Sequence, residues 1–269
     1  MLVRDYRGGH VIDARAIVDS SARLGENVSI GPWTIIGADV EIGDGTEVAS
    51  HVVIKGPTRI GRNNRIFQFS TVGEDTPALA YQGEPTVLEI GDNNTIREGV
   101  TIHRGMVQDD SKTAIGSGCL LMAYVHVGHD CILGDHVIMA NNASVAGHVH
   151  VGDYANFGGY SGVAQYRHIG AHTHVAAMSL VVKDVPDFVT VAGNPAGVAG
   201  LNVEGMRRRE LTPEVQKAMK SAYRMVYRAG NTTEEALAAM AELRAAHAEV
   251  EQFATSIEAS RWGIVRPRG

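Results

Sequence analysis

The residues best equipped for chemistry crowd into one stretch of the chain. Of the 12 histidines most lie after residue 100, and His103, His126, His129 and His148 have the neighbours that could put an imidazole to use. His129 is followed at once by Asp130. An imidazole beside a carboxylate can serve as a general base, with the carboxylate holding its tautomer and orientation. Gly147 precedes His148, and a glycine amide can be approached closely enough to donate to a developing oxyanion. With His126 and Gln165 these are the parts of base-assisted acyl transfer. In that chemistry an acceptor hydroxyl attacks a thioester directly, so neither a Ser or Cys nucleophile nor a cofactor is required. Two readings compete: histidines on an exposed face are commonly plain solvated groups, and imidazoles near a carboxylate can also hold zinc.

Residues so far apart meet only if the chain returns on itself at regular intervals, and a period of six supplies that return. From Ile12, steps of six meet Val18, Leu24, Ile30 and so on to Val72, all aliphatic. The phase returns at Ile90, Ile96 and Ile102, slips by one residue, and then runs from Ile115 to Val181, with Met139 and Phe157 as its only non-aliphatic members. Small or β-branched residues stand four places later, among them Thr34, Thr46, Cys119 and Cys131. Glycine often follows the aliphatic residue, as at Gly31, Gly43 and Gly134, where it is expected to supply unusual backbone angles. Neither a helix, repeating near 3.6, nor a two-faced strand, repeating at 2, accounts for six. Three short sides closing an 18-residue triangular coil do, which predicts a left-handed parallel β-helix of hexapeptide repeats over residues 12–185. That count of 18 stacks His129 beneath Gly147, Asp130 beneath His148, His126 beneath Ser144 and Gly147 beneath Gln165, making one polar cluster.

Two segments leave the repeat, residues 74–87 and 103–113, and long excursions from a regular solenoid are commonly functional. The hexads stop near Asp184-Val185-Pro186, and Gly193-Asn194-Pro195-Ala196 reads as a turn. Thr212-Pro213-Glu214 has the cap, first-turn proline and acidic residue of a helix start, with Val215, Met219, Ala222 and Val226 on one face. A second helix is expected from about Thr233 to Ser260. The chain thus divides into a β-helix domain, 1–190, and a C-terminal helical domain, 191–269. On the first helix Lys217, Lys220, Arg224 and Arg228 recur along one stripe. Such a stripe could steer an acidic protein partner, or could simply keep the helix solvated.

Composition narrows the classes. A net charge of −6 gives no general attraction to nucleic acid or anionic lipid, and no run of the 269 residues is long and apolar enough to cross a membrane. The opening Met1 to Asp5 lacks a signal peptide's apolar core, and two cysteines are too few for a disulfide framework. Both point to a reduced, cytoplasmic protein.

Certain segments resemble one family, the UDP-N-acetylglucosamine O-acyltransferases that open lipid A synthesis. They are Ala123-Tyr124-Val125-His126-Val127-Gly128-His129-Asp130, Asn141-Asn142-Ala143, Ala146-Gly147-His148, Arg97-Glu98 with Thr101-Ile102-His103-Arg104-Gly105, and Asn202-Val203-Glu204-Gly205-Met206-Arg207-Arg208-Arg209. The resemblance implies an enzyme moving a hydroxyacyl chain from acyl carrier protein to the sugar 3-hydroxyl, with His129 as base, Asp130 orienting it and the Gly147 amide receiving the oxyanion. It implies that His126 and His148 line the sugar site, and that Gln165, Asn202, Glu204, Arg208 and Arg209 hold the uridine and diphosphate. Ala177 falls where the family measures its acyl chain, and the basic stripe would meet acyl carrier protein. The family is a homotrimer with each active site between two subunits, so the loop at 74–87 should reach a neighbour. Three positions depart from the family's pattern. Ala78 and Ala80 replace an acidic residue and a lysine, and Ala164 replaces a histidine, which keeps an amino-sugar acceptor open. The γ-class carbonic anhydrases share the coil, but they space two zinc ligands five apart on one chain, whereas His126 and His129 are three apart.

Overall fold

A computed structural model describes residues 11–108 and 111–267; the opening Met1 to Asp5 lies outside them. The six-residue period becomes a stack of triangular coils. Two- to five-residue strands line up in three sheets of eleven, nine and eight strands, one per side of the triangle, all parallel except the last strand of the eleven. We call these the first face (Ile12, Ile30, Val48 and onward), the second face (Val18, Ile36, Ile54) and the third face (Leu24, Ile42, Ile60). Register follows the count of 18: His126 pairs with Ser144, and Ile132 with His150. At the two breaks it lengthens, Ile66 pairing with Ile96 and Ile96 with Leu121, because the two long loops leave the coil between those strands. Each inward aliphatic residue is almost wholly buried from Val28 onward and contributes roughly 1.5–3 kcal/mol, an upper figure. The small register fills the remaining space. Thr34 and Thr46, fully buried, donate their hydroxyls to the Ala49 and Gly61 carbonyls of the next coil.

The glycines act differently from expectation. Gly31 and Gly43 do not carry the left-handed backbone angles; a Cβ there would lie 2.6 and 2.7 Å from backbone atoms of the next coil. Close stacking selects them. The positive φ falls two residues later, on residues such as Asn27, Trp33, His51, Asp130 and His148, at 56° to 63°. A corner therefore presents a side chain held in a conformation that costs energy, and the repeat enforces it.

At the C-terminal end the coil runs further than expected. The strand Val189–Ala192 adds parallel to the first face, and the Gly193 to Ala196 turn returns Gly197–Leu201 antiparallel beside it. The division expected at 190 passes through the first of these strands. A short helix, α1 (Val203–Arg208), follows, N-capped by Asn202, in a run for which the sequence predicts no helix. Then α2 (Pro213–Tyr227) starts at the expected Thr212 cap and buries Met219, Ala222 and Val226. The single helix expected from 233 to 260 is three: α3 (Thr233–Ala239), α4 (Ala241–Ala246) and α5 (Ala248–Glu258). The chain turns at Met240 and at His247, whose backbone is extended. These turns let Met240, Val250, Phe253 and Ile257 reach one core. Among the described residues no helix is long and apolar enough to cross a membrane.

Candidate active site

The corner between the second and third faces holds the histidine cluster. His126 opens the strand His126–Val127, and the chain turns through His129 and Asp130 before Ile132 begins the next side. The left-handed turn at Asp130 sends its carboxylate inward, where the residue is 2% exposed. A buried carboxylate must be answered by donors. Here the Met106 N–H donates to both oxygens, at 2.8 and 3.1 Å, and His129 Nδ1 lies 2.7 Å from Oδ2. An ionised carboxylate only accepts, so Nδ1 carries the proton and Nε2 keeps a free lone pair. That lone pair lies under Gly147, where a Cβ would come within 2.6 Å of Nε2. The pairing expected from the count of 18 is thus realised in space.

The Gly147 N–H donates to no backbone carbonyl among the described residues. Elsewhere equivalent corner amides are occupied. Between the third and first faces the amides of Glu26, Arg62, Ser117, Asp135 and Ala171 each donate to a carboxylate one coil on, at 2.7–2.9 Å. Above the buried Gly147 stands Gln165, exposed.

His148 Nδ1 is 4.0 Å from the same Asp130 oxygen, its ring meets His129 edge-on at 4.9 Å, and its outer face stacks on Tyr166 at 4.4 Å. His126 bonds Thr101 through Nδ1 at 2.8 Å, and burial, then the nearby His103 and His129, holds its pKa below the ordinary histidine value. His103 is tied to the Asp75 carbonyl at 2.7 Å and so anchors the first loop. A groove of about 790 Å³ opens on His129, His148 and Gln165. Ala78 of the first loop and Met106 of the second line it, within the same chain. The loop is held by Arg104, buried, which donates to the Gly73 carbonyl, the Asp75 carboxylate and the Tyr81 hydroxyl. Its tip, Leu79, is fully exposed. Ala80 is exposed and Ala164 half-buried. His129, Asp130 and His148 also offer ligand atoms within 4.8 Å of one another, the geometry a metal ion would need.

The other candidates lie elsewhere. Asn202, Glu204, Arg208 and Arg209 line a second groove, of about 240 Å³, at the corner between the third and first faces. Asn202 donates to the His172 carbonyl, Arg209 lies over the Tyr154 ring, and Glu204 pairs with Arg207 and Arg208. Those two guanidiniums hold the Glu204 carboxyl down at about 2. Ala177 is exposed at the third corner. Within one chain, then, His129 with Gln165, the group from Asn202 to Arg209, and Ala177 occupy three different edges of a prism. Lys217, Lys220, Arg224 and Arg228 are all exposed along α2, as expected. Met106 and Tyr166 line the groove without being predicted from the sequence. Tyr166 was findable, 18 residues beyond His148; Met106 was not, because it lies in a loop outside the register.

A β-helix of hexapeptide repeats carrying a carboxylate-held histidine in a groove defines the class of hexapeptide acyltransferases. Comparison with known proteins agrees. Bacterial transferase hexapeptide repeats match residues 21–56 and 112–147, and the second domain of UDP-N-acetylglucosamine O-acyltransferase matches 184–265. The acyl-[acyl-carrier-protein]–UDP-N-acetylglucosamine O-acyltransferase of Stutzerimonas stutzeri is 59% identical over 95% of this chain and 99% of its own, and that of Saccharophagus degradans 54% over the same shares. The structure of LpxA from Acinetobacter baumannii superposes with a TM-score of 0.93 at 47% identity, covering 95% of this chain and 99% of that one. The chain belongs to the UDP-N-acetylglucosamine O-acyltransferase family, and it is an acyltransferase.

Proposed function

We propose that the protein transfers an (R)-3-hydroxyacyl chain from acyl carrier protein to the 3-hydroxyl of UDP-N-acetylglucosamine, in the cytoplasm, as a step of lipid A synthesis. The observation that carries this reading is the placement of His129, its Nδ1 2.7 Å from the buried Asp130 carboxylate and its Nε2 beneath Gly147. His129 takes the proton from the sugar hydroxyl as its oxygen forms a bond to the thioester carbon. The carbonyl oxygen becomes an oxyanion that accepts from Gly147 N–H. The C–S bond then breaks, and His129 returns the proton to the departing thiolate. His126 and His148 flank the sugar, and His126, kept neutral by burial, can accept or donate a hydrogen bond there. Gln165, Asn202, Glu204, Arg208 and Arg209 hold the nucleotide, Ala177 bounds the acyl chain, and the α2 stripe receives the acidic carrier.

A homotrimer is part of the proposal. Three prisms packed side by side set one chain's base corner against a neighbour's other corners, which a single chain cannot do. The exposed Leu79 supports a loop reaching the neighbour. The test is purified protein with UDP-N-acetylglucosamine or its 3-amino analogue against a ladder of 3-hydroxyacyl carrier proteins. Ester formation on the hydroxyl acceptor is expected. Turnover on the amine alone would replace the reading by N-acylation, the outcome that Ala78, Ala80 and Ala164 keep open. A second reading rests on the His129, Asp130 and His148 ligand atoms: activity lost to a chelator and restored by zinc would favour a metal enzyme.

A further inference from the structure

The groove beside His129 does not end at Gln165. It continues to His150, His168, Arg261 and Trp262, which have no role in the reaction described above. The His150 and His168 rings meet at 4.7 Å, tilted by 50°, on the outside of the third face, one and two coils beyond the strand that follows His129. That is about 5 and 10 Å along the coil axis. Arg261 and Trp262 arrive from far away in sequence, on the strap that follows α5.

The strap is bound to the coil at several points. Asp184, 2% exposed, accepts from the Ser260 hydroxyl at 2.7 Å and the Trp262 N–H at 3.3 Å through one oxygen, and from the His168 N–H at 3.0 Å through the other. The Lys183 ammonium donates to the Trp262 carbonyl at 2.8 Å, and Val265 N–H to the Asp184 carbonyl at 2.8 Å. The half-exposed Trp262 ring covers the Arg167 guanidinium at 4.9 Å. Two nitrogens of that guanidinium, Nε and Nη1, are shielded from solvent and have no hydrogen-bond partner among the described residues. A second positive charge thus lies behind the groove wall. Both oxygens of Asp184, which anchors the strap, are already engaged. The groove lining itself holds four imidazoles and a guanidinium and no carboxylate among the described residues, in a chain of net charge −6. Such an end attracts anions, and at close range guanidinium suits phosphate.

We propose that Arg261, with His150 and His168 and the Trp262–Arg167 stack behind them, forms a phosphate subsite at the far end of the His129 groove. The inference rests on the acyl-transfer reading. Two phosphates are available in that reaction, the diphosphate of the nucleotide sugar and the phosphodiester of the carrier's pantetheine arm, and the experiment separates them. Trp262 is one of two tryptophans, so a Trp33→Phe background leaves it as the single reporter in the full-length protein. Saturable change of its fluorescence with inorganic phosphate, UDP or phosphopantetheine, lost in Arg261→Ala and partly regained in Arg261→Lys, is expected. In kinetics, Arg261→Ala should raise KM about tenfold for one substrate, the loss of one charge-assisted contact, with kcat little changed. The substrate whose KM rises identifies the phosphate. No fluorescence response to any of the three ligands, together with both KM values unchanged, would overturn the subsite. Wild-type protein that binds phosphate at Trp262 yet acylates no nucleotide sugar would sink the functional reading and leave the subsite standing.

Discussion

His129, the proposed base, is placed by a neighbour in sequence and a neighbour in space. The Asp130 carboxylate lies 2.7 Å from Nδ1, and Gly147 leaves room above Nε2 that no other residue would leave. His129→Ala should lower kcat by ~10²–10⁴-fold with the fold unchanged, the range ordinary for a lost general base. Gly147→Ala should cost as much, because its Cβ would crowd Nε2 at 2.6 Å. Circular dichroism and steady-state rates on both variants test this. A His129→Ala protein retaining most of its activity would remove the base assignment. The cluster was legible because stacking turns 18 residues of separation into contact. The Met106 amide that completes Asp130's shell was not, since the loop carrying it obeys no period.

Every side of the coil repeats an inward apolar residue, so specificity is written on outward positions. On the third face the sequence alternates Arg23, Glu41, Arg59, Glu89 and Lys112, each paired with the next, because like charges one coil apart would repel. At the corner between the first and second faces the exposed Ala177 sits three coils beyond the level of Ala123, about 14 Å along the axis. Ala177→Met should shift preference toward shorter donors, by about fourfold per methylene excluded, at ~0.8 kcal/mol each. An unchanged chain-length profile would take Ala177 out of the ruler role. On α2, Lys220→Glu with Arg224→Glu should raise KM for acyl carrier protein several-fold at low salt, fading as salt rises, with the nucleotide sugar unaffected. Equal effects on both substrates would reduce the stripe to a solvated surface.

Across the whole molecule, one edge of the prism is unlike the rest. Trp33, Phe69, Tyr124, Tyr160 and Met178 lie along it, each between 55% and 76% exposed. Aromatic rings in a row along an open edge are what a subunit interface would cover. Sedimentation should give the mass of three chains, and Tyr124→Glu with Tyr160→Glu should lower both assembly and turnover. A fully active monomer would refute the shared active site. The join between coil and helical domain carries a second prediction. Burial holds the Asp187 carboxyl up at about 6, even though Gln252 and the Ala171 amide donate to it. The folded state therefore binds that proton more tightly than the unfolded chain. Its contribution is fully present below the unfolded value, 3.8, and is lost as pH rises through about 6. Asp187→Asn should gain on the parent between pH 4 and 7, by up to about 3 kcal/mol in unfolding experiments. A constant difference across that range would show that Asp187 does not titrate with folding.

The six-residue period determined the coil, its 18-residue register and the contact of His129 with Gly147, because in a solenoid each contact joins positions at a constant separation. Helix α2 was legible for a similar reason, its cap and apolar stripe being local. The breaks at Met240 and His247 carried no such mark. They arise where three short helices must share one core with the end of the coil. The same holds for the strap. Nothing in the local sequence ties Trp262 to Lys183, 79 residues earlier, or sets Arg261 at the end of the His129 groove. Nor did spacing reveal that Gln165 and Arg208 stand on different edges of the prism. Those relations depend on how non-repeating segments pack against a regular surface, and only the tertiary structure decides that.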